Sequence, residues 1–135
     1  MWESGQYVET AGAADPKDWE ERKLHPNRPV SNVNHEEAAA YCAWSKCRLP
    51  KEEEWERAVC GTVARKNACG SEAPEEERLN LYGNFGGPSP VGVFPRGNTA
   101  DGIEDMGGNG WEWTDSFHDK SKERLVLRGL VGQRP

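Results

Sequence analysis

Between Gly102 and Asp115 the chain reads Gly-Ile-Glu-Asp-Met-Gly-Gly-Asn-Gly-Trp-Glu-Trp-Thr-Asp, and no other stretch constrains the fold as strongly. The glycines around Asn109 make a flexible turn. Directly after it, Trp111 and Trp113 share one face at a period of two while Glu112 points the other way, the pattern of a half-buried strand. Such a turn sets an anionic oxygen beside backbone, and the stretch carries carboxylates able to hold an ion there. The competing reading is a plain tight turn, with Asp105 capping it and Glu112 solvated.

A chain of 135 residues is expected to form one domain, 1–135, around one core, burying roughly two-thirds of the surface its unfolded form exposes. Aliphatic residues are few, so the six tryptophans are expected to carry much of the core free energy. A net charge of −6 without a basic run disfavours nucleic acid as a partner. No apolar stretch is long enough to cross a bilayer and the first residues lack a signal-like pattern, so no membrane partner is expected, and a cytoplasmic location if the chain is complete. Cys42, Cys47, Cys60 and Cys69 form no Cys-x-x-Cys pair, and His25, His35 and His118 lie far apart, so zinc is not expected. Buried thiols are the plain alternative.

Residues 1–27 read as a short strand or helical turn near Gln6-Tyr7-Val8, then loop, with Trp19 as the large anchor. Pro26 and Pro29 predict an extended arm. Asn34 followed by Glu37 is the pattern of a capping box and predicts a helix from His35 to Ser45, with Ala38, Tyr41, Cys42 and Ser45 on its inward stripe and His35 solvated. Pro50 suits the first turn of a second helix, whose Glu52, Glu53 and Glu54 match its dipole as solvated surface, whose Trp55, Ala58 and Val59 face a core, and which Gly61 ends. Residues 62–84 read as polar loop, across which Cys60 and Cys69 could be bridged. Pro90 to Pro95 is expected to be a short proline-edged strand and Leu125-Val126-Leu127 a last one. Trp111 or Trp113 is expected in the core, and Arg128 is expected to pair with a carboxylate.

The ordered set Pro29-Val30, Ala40-Tyr41-Cys42-Ala43-Trp44, Arg48-Leu49-Pro50 with Trp55-Glu56-Arg57-Ala58, Pro90-Val91-Gly92 with Phe94-Pro95, Asp105-Met106 through Gly108-Asn109 to Trp111-Glu112-Trp113, and Val126-Leu127-Arg128-Gly129 resembles the formylglycine-generating enzyme (sulfatase-modifying factor) family. The resemblance runs from about Val8 to Gly129. It implies an α+β fold, a variant of the C-type lectin-like fold with two helices, short antiparallel strands and much irregular loop. It also implies a choice of activities. Family oxidases bind copper through two cysteines downstream of the Arg-Gly motif and convert a sulfatase cysteine to formylglycine. In this chain Leu130 to Pro135 follow Gly129 without a cysteine, so copper is not expected. Cys42 and Cys60 match positions that form structural disulfides to that downstream segment in some members.

Matching the family's second calcium site residue by residue gives the Asp105 side chain, the Gly108 and Gly110 carbonyls and the Glu112 side chain; Asn80, with the Leu81 carbonyl, matches half of the other site. The expectation is therefore a non-catalytic, calcium-stabilised binding or display module whose partner is an unidentified protein or small-molecule ligand. The alternatives are a copper-dependent oxidase or a piece of one, and a variable protein of a diversity-generating retroelement, whose variable residues would follow Gly129.

Overall fold

The computed structural model describes residues 2–3, 6–7, 19–61, 77–81, 85–119, 121 and 123–129. Along the chain lie β1 (Trp2–Glu3), β2 (Gln6–Tyr7), α1 (Trp19–Lys23), α2 (His35–Trp44), α3 (Glu52–Cys60), a 3-10 turn (Pro95–Gly97), β3 (Glu112–Phe117) and β4 (Leu125–Arg128). Three helices and two antiparallel strand pairs make this a small α+β arrangement. No helix among the described residues is long and apolar enough to cross a membrane. Cys69, most of the 62–84 loop and residues 130–135 lie outside the described residues; Cys60 is a free thiol.

Asn34 caps α2 as the sequence indicates, its side chain accepting the Glu37 N–H at 2.9 Å while its own N–H donates to the Glu37 carboxylate at 2.7 Å. Replacing Asn34 by alanine removes one arm of this pair and should destabilise the protein by about 1 kcal/mol. A denaturant midpoint unchanged within error would show that the cap contributes nothing.

The inward stripe of α2 differs from the expected one. His35, Ala38, Ala39 and Cys42 are half-buried, whereas Tyr41, Trp44 and Ser45 are exposed. Two contacts set this rotation. Trp113 meets His35 edge-on at 5.7 Å, and its indole N–H donates to the Val33 carbonyl at 2.9 Å, so the helix start is pinned to β3. His35 is thus a packed residue, not a solvated one. Tyr41 and Trp44 lie against each other on the outer face at 5.7 Å.

α3 begins two residues after Pro50, with Lys51 as its N-cap, because the Lys51 N–H bonds back to Glu54 at 2.8 Å. Gly61 closes it at φ 64. Trp55 and Val59 are buried and pack with Met106, flanked by Ala58 and Cys60. Glu52 and Glu54 are not merely solvated. Arg48 grips Glu54 with two bonds of 2.7 Å and holds its carboxyl down to about 2, while Arg128 donates to both Glu52 and Glu56. Lys51 donates to Asp115 at 2.6 Å and holds that carboxyl below its usual range. The Asp115 N–H donates to the Pro50 carbonyl at 2.8 Å, so the start of α3 is docked on β3.

β3 and β4 pair antiparallel, Glu112 opposite Arg128 and Trp113 opposite Leu127, with an irregularity before Phe117. The fully buried Thr114 donates to the Val126 carbonyl at 2.8 Å, which ties the irregular part of the ladder together. Trp111 and Trp113 are both half-buried, so neither is a full core residue, and among the described residues Trp55 is the tryptophan that the core encloses.

Two further expectations fail. Pro90 to Pro95 is turn and 3-10 structure, not strand: Gly92 sits at φ 77, and Val91 and Val93 stay exposed. Prolines at both ends remove ladder donors, leaving too few N–H groups to pair. Among the described residues the α-helix count is three, not two. Trp19–Lys23 is a helix of 5 residues, with acids in its first turn and bases in its last, which suits its dipole but is too short to display a helical period.

Candidate functional site

The turn that leads into β3 is bent at two points. Asp105 and Asn109 take left-handed backbone angles, φ 59 and φ 67, which aspartate and asparagine tolerate better than other side chains. The Gly108 N–H donates to the Asp105 carbonyl at 3.1 Å and the Gly110 N–H to the Gly108 carbonyl at 2.8 Å. Glycine at 108 has a packing reason as well: a Cβ there would lie 2.9 Å from the Asn80 carbonyl oxygen.

Asn109 is the centre of the arrangement. Its Oδ1 accepts from Asn80 Nδ2 at 3.1 Å, from the Ser89 N–H at 2.7 Å and from the Ser89 hydroxyl at 3.1 Å. Its Nδ2 donates to the Ser89 carbonyl at 3.2 Å and more weakly to Asp105 Oδ2 at 3.4 Å, while its backbone N–H donates to the Asn80 carbonyl at 3.0 Å. Sequence reading passed over Asn109 and Ser89 because their partners are remote in the chain. The available signal is asparagine set between glycines, a composition suited to left-handed backbone.

Of the residues matched to calcium ligands, Asp105 and Glu112 are brought close enough for their charges to interact. Burial pushes the Glu112 carboxyl up, the Trp55 indole N–H at 2.5 Å pulls it back, and the Asp105 charge raises it again. Asp105 Oδ2 has only long contacts, the Gly92 N–H at 3.3 Å and Asn109. The Gly110 carbonyl oxygen lies against Gly129, where a Cβ would come within 2.3 Å of it. Asn80 stands behind the turn and braces it, and its Oδ1 is buried without a hydrogen-bond partner. The two interacting carboxylates and the unpartnered Asn80 amide oxygen are hard oxygen atoms, the donor type a hard cation takes. Among the described residues no three His, Cys, Asp or Glu side chains gather, so most of the ligands of any ion held here would be backbone and amide oxygens.

The brace reaches a cavity. Asn80 Nδ2 also donates to the Gly87 carbonyl at 3.0 Å, and Gly86, Gly87 and Pro88 form one lip of an open cavity of about 470 Å³. Trp19, Glu21, Arg22, Lys23, His25 and Arg28 are on its walls.

The family described as the sulfatase-modifying factor enzyme 1-like domain matches residues 2–133. The chain belongs to the sulfatase-modifying factor family. Among relatives of this family, it is 44% identical over 97 residues to a hercynine oxygenase of Mycolicibacterium thermoresistibile, a match covering 69% of this chain and 22% of that protein. It is 38% identical over 113 residues to an inactive C-alpha-formylglycine-generating enzyme 2 of Mus musculus, covering 75% of this chain and 36% of the relative. It is 33% identical over 140 residues to a formylglycine-generating enzyme of Mycobacterium tuberculosis, covering 80% and 46%. The chain thus spans less than half the length of each of these sulfatase-modifying factor relatives, which include both enzymes and a protein named as inactive.

Proposed function

We propose that this chain is a calcium-stabilised domain of C-type lectin-like fold within the sulfatase-modifying factor family, acting as a non-catalytic binding module. The observation that carries this reading is the half-buried Glu112–Asp105 carboxylate pair at the glycine turn. Asp105, Glu112, the Gly108 and Gly110 carbonyls and, from behind, Asn80 would hold the ion. Bound calcium would supply positive charge that cancels the repulsion between the two carboxylates and compensates their lost hydration. This chain's own residues do the rest: Trp55 orients Glu112, and Asn109 transmits the turn's position through Asn80 and Ser89 to the lip at Gly86–Pro88. The cavity beyond is lined by Trp19 and by three cationic side chains, Arg22, Lys23 and Arg28, against one carboxylate, Glu21, a balance that suits a small anionic ligand. The thiols Cys42 and Cys60 are on α2 and α3, serving a helix end and the core.

An enzymatic reading is favoured by the likeness to a hercynine oxygenase and a formylglycine-generating enzyme, of which the chain spans 22% and 46%. In that reading the turn is the scaffold of a larger oxidase or oxygenase.

The test is a melting experiment with a sign change. Without calcium, a carboxylate whose folded pKa lies above its unfolded value destabilises the fold at neutral pH, and stability rises as the pH falls through that folded pKa. Glu112→Gln removes this burden while keeping an acceptor for Trp55, so in chelator it should melt no lower than the unsubstituted chain. Calcium at a hundredfold excess over its dissociation constant should stabilise the unsubstituted chain by about 2.7 kcal/mol and the variant hardly at all. A melt of the unsubstituted chain indifferent to calcium would sink the ion. Formylglycine formed from a cysteine-containing sulfatase peptide with copper and oxygen would overturn the non-catalytic part.

A further inference from the structure

The end of α2 carries a second, unrelated chemistry. Lys46 closes the helix in a left-handed conformation, φ 60. Its N–H bonds the Ala43 carbonyl at 3.1 Å, and the next N–H, that of Cys47, reaches back to the Cys42 carbonyl at 2.8 Å. In a cap of this kind the side chains at the two ends of the longer bond meet, normally as an apolar contact. Here both are cysteines, and the neighbouring Cys47 thiol adds to burial in raising the Cys42 thiol. With standard bond lengths, a backbone bond of 2.8 Å keeps the two Cα atoms at most about 6.7 Å apart. Disulfides span about 4.4 to 6.8 Å between Cα atoms, so this upper bound keeps the pair within disulfide reach.

We propose that Cys42 and Cys47 are a reversible disulfide site, opened and closed by the redox state of the surroundings. Cys47 is exposed and Cys42 half-buried, so Cys47 meets the oxidant first. Ser45 Oγ lies 3.2 Å from Cys47 Sγ and is able to donate to it when it ionises. With hydrogen peroxide, the Cys47 thiolate attacks one peroxide oxygen, the O–O bond breaks and hydroxide leaves, giving a sulfenic acid. The Cys42 thiolate then attacks the Cys47 sulfur, the S–O bond breaks, and the departing hydroxide takes a proton as water while the S–S bond forms. Two thiols lose two electrons and one peroxide becomes two waters. The last carbonyls of α2 do not favour a thiolate, and burial pushes the Cys42 thiol up, so the reaction is expected to be slow and to quicken as the pH rises.

Peroxide treatment of the 135-residue chain, followed by alkylation and peptide mapping, tests this. The expected product is a monomer lighter by two hydrogens with Cys42 joined to Cys47, restored by dithiothreitol. Before oxidation, iodoacetamide should label Cys47 about tenfold faster than Cys42, as exposure dictates. Cys47→Ser should leave Cys42 reduced, and Cys42→Ser should let Cys47 advance to sulfinic acid. Because serine at 47 is on the surface, loss of the product in that variant is not an unfolding effect. A bond from Cys42 to Cys60 or Cys69, an intermolecular dimer, or independent oxidation of the two thiols would each overturn the assignment.

Discussion

Asn109→Ala is expected to cost on the order of 3 to 6 kcal/mol, enough to unfold a domain whose whole stability is roughly 5 to 15. The reason is where its partners are. Ser89 is fully buried and Asn80 is 4% exposed, so the Ser89 N–H, its hydroxyl and the Asn80 amide lose their acceptor where water has little access. Each buried group left without a partner costs about 1 to 3 kcal/mol. Alanine also tolerates the left-handed angle at 109 less well, by roughly 1 kcal/mol. Asn109→Gly separates the two contributions, since glycine accepts that backbone freely; it should keep most of the loss. Urea unfolding of the three chains measures this, and a cost below about 1 kcal/mol for alanine would mean that the network is peripheral.

The parts of the molecule that sequence reading anticipated are those whose causes are local. The α2 cap needs only Asn34 and Glu37, and the buried stripe of α3 needs only Trp55 and Val59 at helical spacing. Arg128 pairs as expected because it ends β4 opposite an acidic helix. Where the cause is distant, the reading falters. The rotation of α2 is set by Trp113, 80 positions from the Val33 carbonyl it binds, and the centrality of Asn109 depends on residues 20 and 29 positions away. Tryptophan count misled for a related reason: Trp44 spends its surface on Tyr41 outside the core, a choice of side-chain partner that composition does not encode.

The candidate site follows the same division. Asp105 and Glu112 could be named from the turn's family resemblance, but not Trp55 as the donor that holds Glu112. That bond ties α3 to the head of β3 at the carboxylate whose charge interacts with Asp105. A change in charge at Glu112 is therefore felt by the core, because Trp55 belongs to both. Under the calcium proposal, calcium dependence and core stability should move together in any variant that loses the indole N–H.

Gly97→Ala should be as damaging as the loss of Asn109, by a different route. A Cβ at 97 would fall 2.0 Å from the Arg78 carbonyl oxygen and 2.9 Å from Leu79 Cδ2. The first obstacle is backbone and the second belongs to a side chain only 2% exposed, so neither can swing aside. Moving the 78–80 segment would carry Asn80 with it and disturb the brace behind the turn. Overpacking that shifts backbone costs about 1 to 3 kcal/mol and at times more, and this contact is closer than any relaxed Cβ allows, so at least about 3 kcal/mol is expected. Two other glycines calibrate the claim. Gly102 has a positive φ of 80 but open space around it, so alanine there should cost roughly 1 kcal/mol from backbone conformation alone. Gly110 has neither restriction, so alanine there should be close to neutral. If Gly97→Ala falls no lower than Gly102→Ala in urea unfolding, the close passage of residues 78–80 behind the 3-10 turn is not what holds this face of the molecule.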